Sequence, residues 1–201
     1  MEAPFFLLAM PQLEDPLFHR SVVLIARHNS EGAFGLVLNK TLVGEDNNLA
    51  QMVAEIKDTD GNTLCEFEES LYFGGPANDE TLYSLHSIAV AGDEESYIAP
   101  DLYLASRAET FQQILEHDEY KEKRRFFMGC SAWDPGQLES ELRTGAWYTV
   151  PYVQNAQNIF PDLLSGEGEN KGDQYWFDML SSAGVNPLTL MGQNEEDTGY
   201  N

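Results

Sequence analysis

Phe5-Phe6-Leu7-Leu8-Ala9-Met10, Ser21-Val22-Val23-Leu24-Ile25-Ala26-Arg27 and Ala33-Phe34-Gly35-Leu36-Val37-Leu38 are the runs whose reading decides the fold class. The first is apolar at every position and is stopped by Pro11, the pattern of a strand buried on both faces. The other two flank the turn-forming Asn29-Ser30-Glu31-Gly32 and predict a β-hairpin. Between the first two runs, Pro11 to Arg20 carries two prolines and no helical period, so it reads as a long connection.

Further along, Leu71-Tyr72-Phe73, Thr81–Val90, Ala99–Ala105, Arg124–Met128 and Ala146–Tyr152 read as strands. Asn47–Lys57 places Leu49, Met52, Val53 and Ile56 on one face at helical spacing and predicts a helix, closed by the turn cluster Asp58 to Asn62. Arg107–Tyr120, Ala156–Leu164 and Asp173–Ala183 are further expected helices. Asp134–Arg143 carries explicit punctuation, with Asp134 at the N-cap, Pro135 first, Gln137 third and Gly145 past the end. Strands in consecutive runs, with helices irregularly interspersed, predict an α+β fold with a mainly antiparallel sheet. Hairpin-linked apolar strands of this kind curl toward a barrel. One domain over 1–191 and a polar, frayed tail over 192–201 are expected.

The 201 residues hold 11 Lys+Arg against 34 Asp+Glu, a formal charge of −23. Such a chain has no generic electrostatic footprint for nucleic acid or for an anionic membrane. No apolar stretch approaches the ~18 residues of a membrane span, and the N-terminus lacks a basic leader, so a cytoplasmic protein is expected. Cys65 and Cys130 show neither zinc-ligand nor redox spacing.

Motifs with chemical potential are few. Gly129-Cys130-Ser131-Ala132-Trp133 nearly spells a nucleophile elbow between a strand and a helix, but its last glycine is Trp133 and no histidine follows His117. It reads instead as a strand-to-helix turn around a packed tryptophan. Cys130 has no basic neighbour to activate a thiolate. His19, His28, His86 and His117 make no metal-binding pair in sequence, so no metal or cofactor is assigned. Gly74-Gly75-Pro76-Ala77-Asn78 offers backbone N–H groups to an anion, yet lacks the G-K-[ST] of a phosphate loop, and a tight turn is the stronger reading. Lys121, Lys123, Arg124 and Arg125 are interleaved with Glu119 and Glu122 and pair within the chain's own acidic field.

Phe6 to Val23, His28 to Lys40, Tyr72-Phe73-Gly74-Gly75-Pro76 and Trp133 to Leu142, followed by Trp147, together resemble the YqgE/AlgH family of bacterial proteins, in the family's order and over about Phe6 to Asp178. The resemblance implies a compact α+β fold with a curved, partly barrel-like sheet flanked by helices. It transfers no catalytic residues, and one branch carries a transcriptional-regulator label. Cys130-Ser131-Ala132 departs from the family's small-aromatic-small pattern before the tryptophan.

Among the matching positions, Asp15, His28, Asn39, Gly74, Gly75 and Pro76 are expected to converge near one sheet edge with Trp133, Gln137 and Glu139, as candidates for binding a ligand or partner. Each has a structural alternative: Asp15 and Asn39 bonding turn backbones, Gln137 closing a capping box. The function expected is a non-enzymatic binding or regulatory protein acting through a protein partner or a small ligand. A hydrolase or metal-dependent enzyme at Gly74 and Gln137 is the alternative, and it requires His28 or His86 within reach of a nucleophile or two carboxylates. Direct DNA binding is the third reading, opposed by the charge and by acidic or mixed helices.

Overall fold

The computed structural model describes residues 2–43, 50–57, 63–154, 159–163 and 171–196. Their strands are β1 (Phe5–Ala9), β2 (Val22–Asn29), β3 (Gly32–Val37), β4 (Gln51–Lys57), β5 (Thr63–Phe73), β6 (Ala77–His86), β7 (Tyr97–Ala99), β8 (Leu102–Ala105), β9 (Arg124–Trp133) and β10 (Trp147–Pro151). The helices are α1 (Ala108–Leu115), α2 (Gln137–Arg143), α3 (Lys171–Ser182) and α4 (Pro187–Glu196). By contacts the chain divides into two compact units, Met1–Lys40 with Ser131–Asn201, and Thr41–Cys130.

In the first unit β1 lies between β10 and β2, antiparallel to both, with Phe5 opposite Pro151 and Ile25 and Leu8 opposite Tyr148 and Val22. All five β1 residues are buried, as an apolar run without alternation requires. Each such Leu or Phe contributes roughly 1.5–3 kcal/mol. The expected hairpin of β2 and β3 forms, pairing Asn29 with Gly32 and irregular between Ile25 and Arg27. β3 then pairs with the last three residues of β9, Ala33 facing Trp133. Helix α3 covers β1, its buried Trp176 donating Nε1–H to the Ala9 carbonyl at 2.8 Å.

In the second unit the first part of β9 runs antiparallel to β6 and parallel to β5, Tyr72 facing Phe127. β6 continues to β8 and β8 to β7, while β4 pairs with β5. Among the described strands β5 with β9 is the only parallel pair, so the sheet structure is mainly antiparallel, and in neither unit does the strand order close on itself. Helix α1 buries Ile114 and Leu115 against Ile88 and Phe126. Buried Arg124 donates to Glu69 at 2.6 Å and to the carbonyls of Ile114 and His117 around the C-terminal end of α1.

Several sequence expectations are corrected. Of the expected helix Asn47–Lys57, the described part is strand β4, paired from Gln51 opposite Ser70 to Ile56 opposite Cys65. Met52, Val53 and Ile56 suit either period, and the long ladder with β5 decides it. Of the expected helix Ala156–Leu164, residues 159–163 are not helical and the rest lie outside the described residues, as does the turn cluster Asp58 to Asn62. The third helix begins at Lys171, and 192–196, expected as tail, continue α4. Among the described residues no helix is long and apolar enough to cross a membrane.

Candidate functional site

Helix α2 does not begin at Asp134. Gly136 adopts φ +80°, a left-handed conformation that side-chain-bearing residues avoid, so the chain turns once before the helix starts at Gln137. Gln137 donates its backbone N–H to the Asp134 carbonyl and takes the Asp134 N–H on Oε1, both at 3.0 Å. The side-chain half of the expected capping box thus forms, around a turn instead of a helix start. Gln137 Nε2 also donates to Glu141 Oε1 at 2.9 Å. The other oxygen of Glu141 accepts the indole N–H of Trp133 at 2.9 Å and that of Trp147 at 2.7 Å. The two rings meet edge to face at 6.0 Å, and Phe18 abuts Trp147 at 5.6 Å. Gln12 closes the edge by donating to the Gly145 carbonyl at 2.6 Å.

Beside this platform, His28 Nε2 lies 2.8 Å from Glu139 Oε1, with the His28 side chain 11% and the Glu139 side chain 47% exposed. Phe5 packs against the His28 ring edge on at 5.8 Å. The Glu139 carboxyl is held below its ordinary value first by its own backbone N–H and then by His28. A largely buried imidazole thus holds in place a half-exposed carboxylate, which presents an acceptor to a partner.

Asp15 and Asn39 belong to a different cluster of the same unit. Asp15 Oδ1 accepts the Leu17 N–H at 2.8 Å and its carbonyl accepts those of Phe18 and His19, so it shapes the connection. Buried Asn39 accepts the Val22 N–H and donates to the carbonyls of Arg20 and Gly172, each at 2.8 Å. These bonds fix Arg20, which sits at φ +51° and pairs with Asp173 at 2.6 Å. Half-buried Lys40 donates to the Pro16 carbonyl at 3.2 Å. Burial pushes its ammonium below the ordinary lysine value, partly offset by Asp173 and Asp15.

Gly74, Gly75 and Pro76 belong to the second unit. Gly74 donates to the Met128 carbonyl at 2.9 Å, and Gly129, at φ +70°, lies so close to the Gly75 carbonyl that a Cβ there would collide with it. Gly129 thus lets β9 pack its backbone closely against this turn.

The strand-to-helix turn expected at Gly129 to Trp133 is also corrected: these residues lie inside β9, where the pairings to β3 and β6 extend the strand beyond Met128, and neither Cys130 nor Ser131 has exposed surface. Burial pushes the Cys130 thiol up, against the hydrogen bonds of Tyr83 and Asn78. His86 is fully buried, stacked on Tyr103 at 5.5 Å, with no hydrogen bond to either ring nitrogen. Burial lowers its pKa to about 4, although the nearby Ile88 backbone and the Asp93 charge favour the protonated ring. Among the described residues no three His, Cys, Asp or Glu are grouped to hold a metal.

Of the nine candidates, the six in the first unit thus separate into an α2 group, His28, Trp133, Gln137 and Glu139, and a connection group, Asp15 and Asn39. Glu141, Phe18, Arg20, Lys40 and Asp173 were not among the candidates. Glu141 stands four residues after Gln137, a helical spacing that signals their contact, whereas its indole donors come from two strands.

A model of the AlgH-like family, DUF179, matches residues 6–188. A UPF0301 protein of Proteus mirabilis is 35% identical over 72% of this chain and 77% of its own, and one of Photobacterium profundum is 30% identical over 92% and 93%. The solution structure of the AlgH protein from Pseudomonas aeruginosa matches with a TM-score of 0.61 at 24% identity, covering 98% of this chain and 95% of that one, a likeness of fold. A match spanning both units, together with relatives of nearly full coverage, establishes that the chain belongs to the AlgH-like family.

Proposed function

We propose that the chain is a non-enzymatic binding or regulatory protein of the cytoplasm, acting through a protein partner or a small ligand engaged at the face presented by α2. The observation that carries this reading is the partly exposed His28–Glu139 pair at 2.8 Å, set beside indoles whose N–H groups are both fixed on Glu141. Polar groups on a rigid scaffold bind without first being ordered. The Glu139 carboxylate of the pair suits a ligand that offers a hydrogen-bond donor, and the charge of −23 favours partners without a phosphate backbone. Burial of Cys130 and Ser131 supports binding over the hydrolase alternative.

The test is a broad hydrolase screen on the purified chain, with Cys130→Ala and Ser131→Ala alongside. The reading expects no turnover that either substitution abolishes. Turnover lost in one of them would replace binding with catalysis.

A further inference from the structure

Only 11 of 201 residues are Lys or Arg, yet Arg20 and Lys40 both lie in the electrostatic field of Asp173 on α3. Arg20 is held in a left-handed backbone conformation that Asn39 secures through its carbonyl, and its guanidinium lies 2.6 Å from Asp173 and 5.8 Å from the centre of the Trp176 ring. Few non-glycine residues adopt that conformation, so the fold holds this side chain in place at a cost. Lys40 is held differently. Its half-buried ammonium donates to the Pro16 carbonyl and has no ion-pair partner among the described residues. An ammonium has three donors, and one drawn partly out of water, with Asp173 and Asp15 acting on it only from beyond salt-bridge distance, is stabilised further by an anion that reaches it.

We propose that Arg20 and Lys40 form a binding position for a small oxyanion, a carboxylate or phosphate group, whose place beside Arg20 the Asp173 carboxylate takes when no ligand is bound. The guanidinium already holds one carboxylate in hydrogen-bond geometry, and that carboxylate defines the chemistry of the ligand. The net charge repels anions at long range, so retention rests on contact with these two cations. Binding displaces Asp173 and releases the hold of Arg20 on α3. The position is separate from the α2 face.

The test is an NMR titration of the full chain with inorganic phosphate in one arm and succinate in the other, following the amides of Arg20 and Lys40. Saturable shifts are expected in at least one arm, and the arm that saturates first identifies the oxyanion. Lys40→Met, which leaves the Arg20–Asp173 pair intact, is expected to weaken binding about tenfold or more, the worth of one charge-assisted hydrogen bond. Asp173→Asn, which removes the competing charge at the same shape, is expected to tighten it by roughly threefold or more. A thermal melt establishes that each variant is folded; should Asp173→Asn unfold, Lys40→Met decides. The proposal is overturned by shifts that Lys40→Met leaves unchanged, by weaker binding in folded Asp173→Asn, or by no saturable shift in the native chain.

Discussion

Trp133 and Trp147 give their indole N–H groups to the same oxygen of Glu141, at 2.9 and 2.7 Å, while their rings meet edge to face at 77°. One carboxylate on α2 therefore ties together the end of β9 and the start of β10, and Gln137 steadies it from the preceding turn.

Glu141→Ala leaves two sheltered indole donors without an acceptor. At about 1–3 kcal/mol for each group left unsatisfied, it should cost roughly 2–6 kcal/mol, or about 4–24 °C of melting temperature in a chain this size. Glu141→Gln keeps an acceptor and should cost about 1 kcal/mol. Denaturant unfolding checks both, and a Glu141→Ala midpoint equal to that of Glu31→Ala contradicts the platform.

Gly129→Ala places a Cβ against the Gly75 carbonyl at a φ of +70°, whereas Gly92, at φ +84°, faces open space. Both alanines carry the conformational strain, on the order of 1 kcal/mol, but only Gly129→Ala adds a backbone collision. It should destabilise by at least about 2 kcal/mol more than Gly92→Ala. Equal midpoints would show that the turn yields and that close packing does not require a glycine at position 129.

The separation of packing from function was only partly legible in the residues themselves. Apolar runs and turn residues suffice for β1 and the β2–β3 hairpin, because local period and local turn agree there. Met52 to Lys57 misleads because its spacing fits both periods, and the arbiter is the ladder with β5, whose Glu66, Glu68 and Glu69 mask its strand character. Gln137 and Glu139 stand out beside the punctuated start of α2. Glu141 does not, since its role exists only once two tryptophans from different strands reach it. The conjunction of Arg20, Asn39 and Asp173 likewise depends on residues 153 positions apart.

His86 predicts a pH dependence. An unfolded imidazole takes its proton near 6.5, the buried one only at about 4. Between those values the unfolded state binds more protons, so stability is complete above about pH 6.5 and falls as the pH drops toward 4, by ~1.4 kcal/mol per unit and about 3 kcal/mol in all. His86→Phe keeps the aromatic stacking on Tyr103 and removes the titration. Urea unfolding at pH 7 and at pH 4.5 should show a markedly smaller acid loss for His86→Phe than for the native chain. Equal losses would mean that the imidazole finds a proton or a partner in the folded state.

The central claim is that this member of the AlgH-like family works by binding at the α2 face. Its most direct measurement is a thermal-shift screen of metabolites and peptides on the native chain, on His28→Gln with Glu139→Gln, and on Cys130→Ala. A ligand at 100 times its Kd adds about 2.7 kcal/mol, a shift of roughly 5–10 °C. The account predicts ligands that shift the native chain and Cys130→Ala alike and fail on the His28–Glu139 double variant. Ligands that shift the double variant as strongly as the native chain would contradict it.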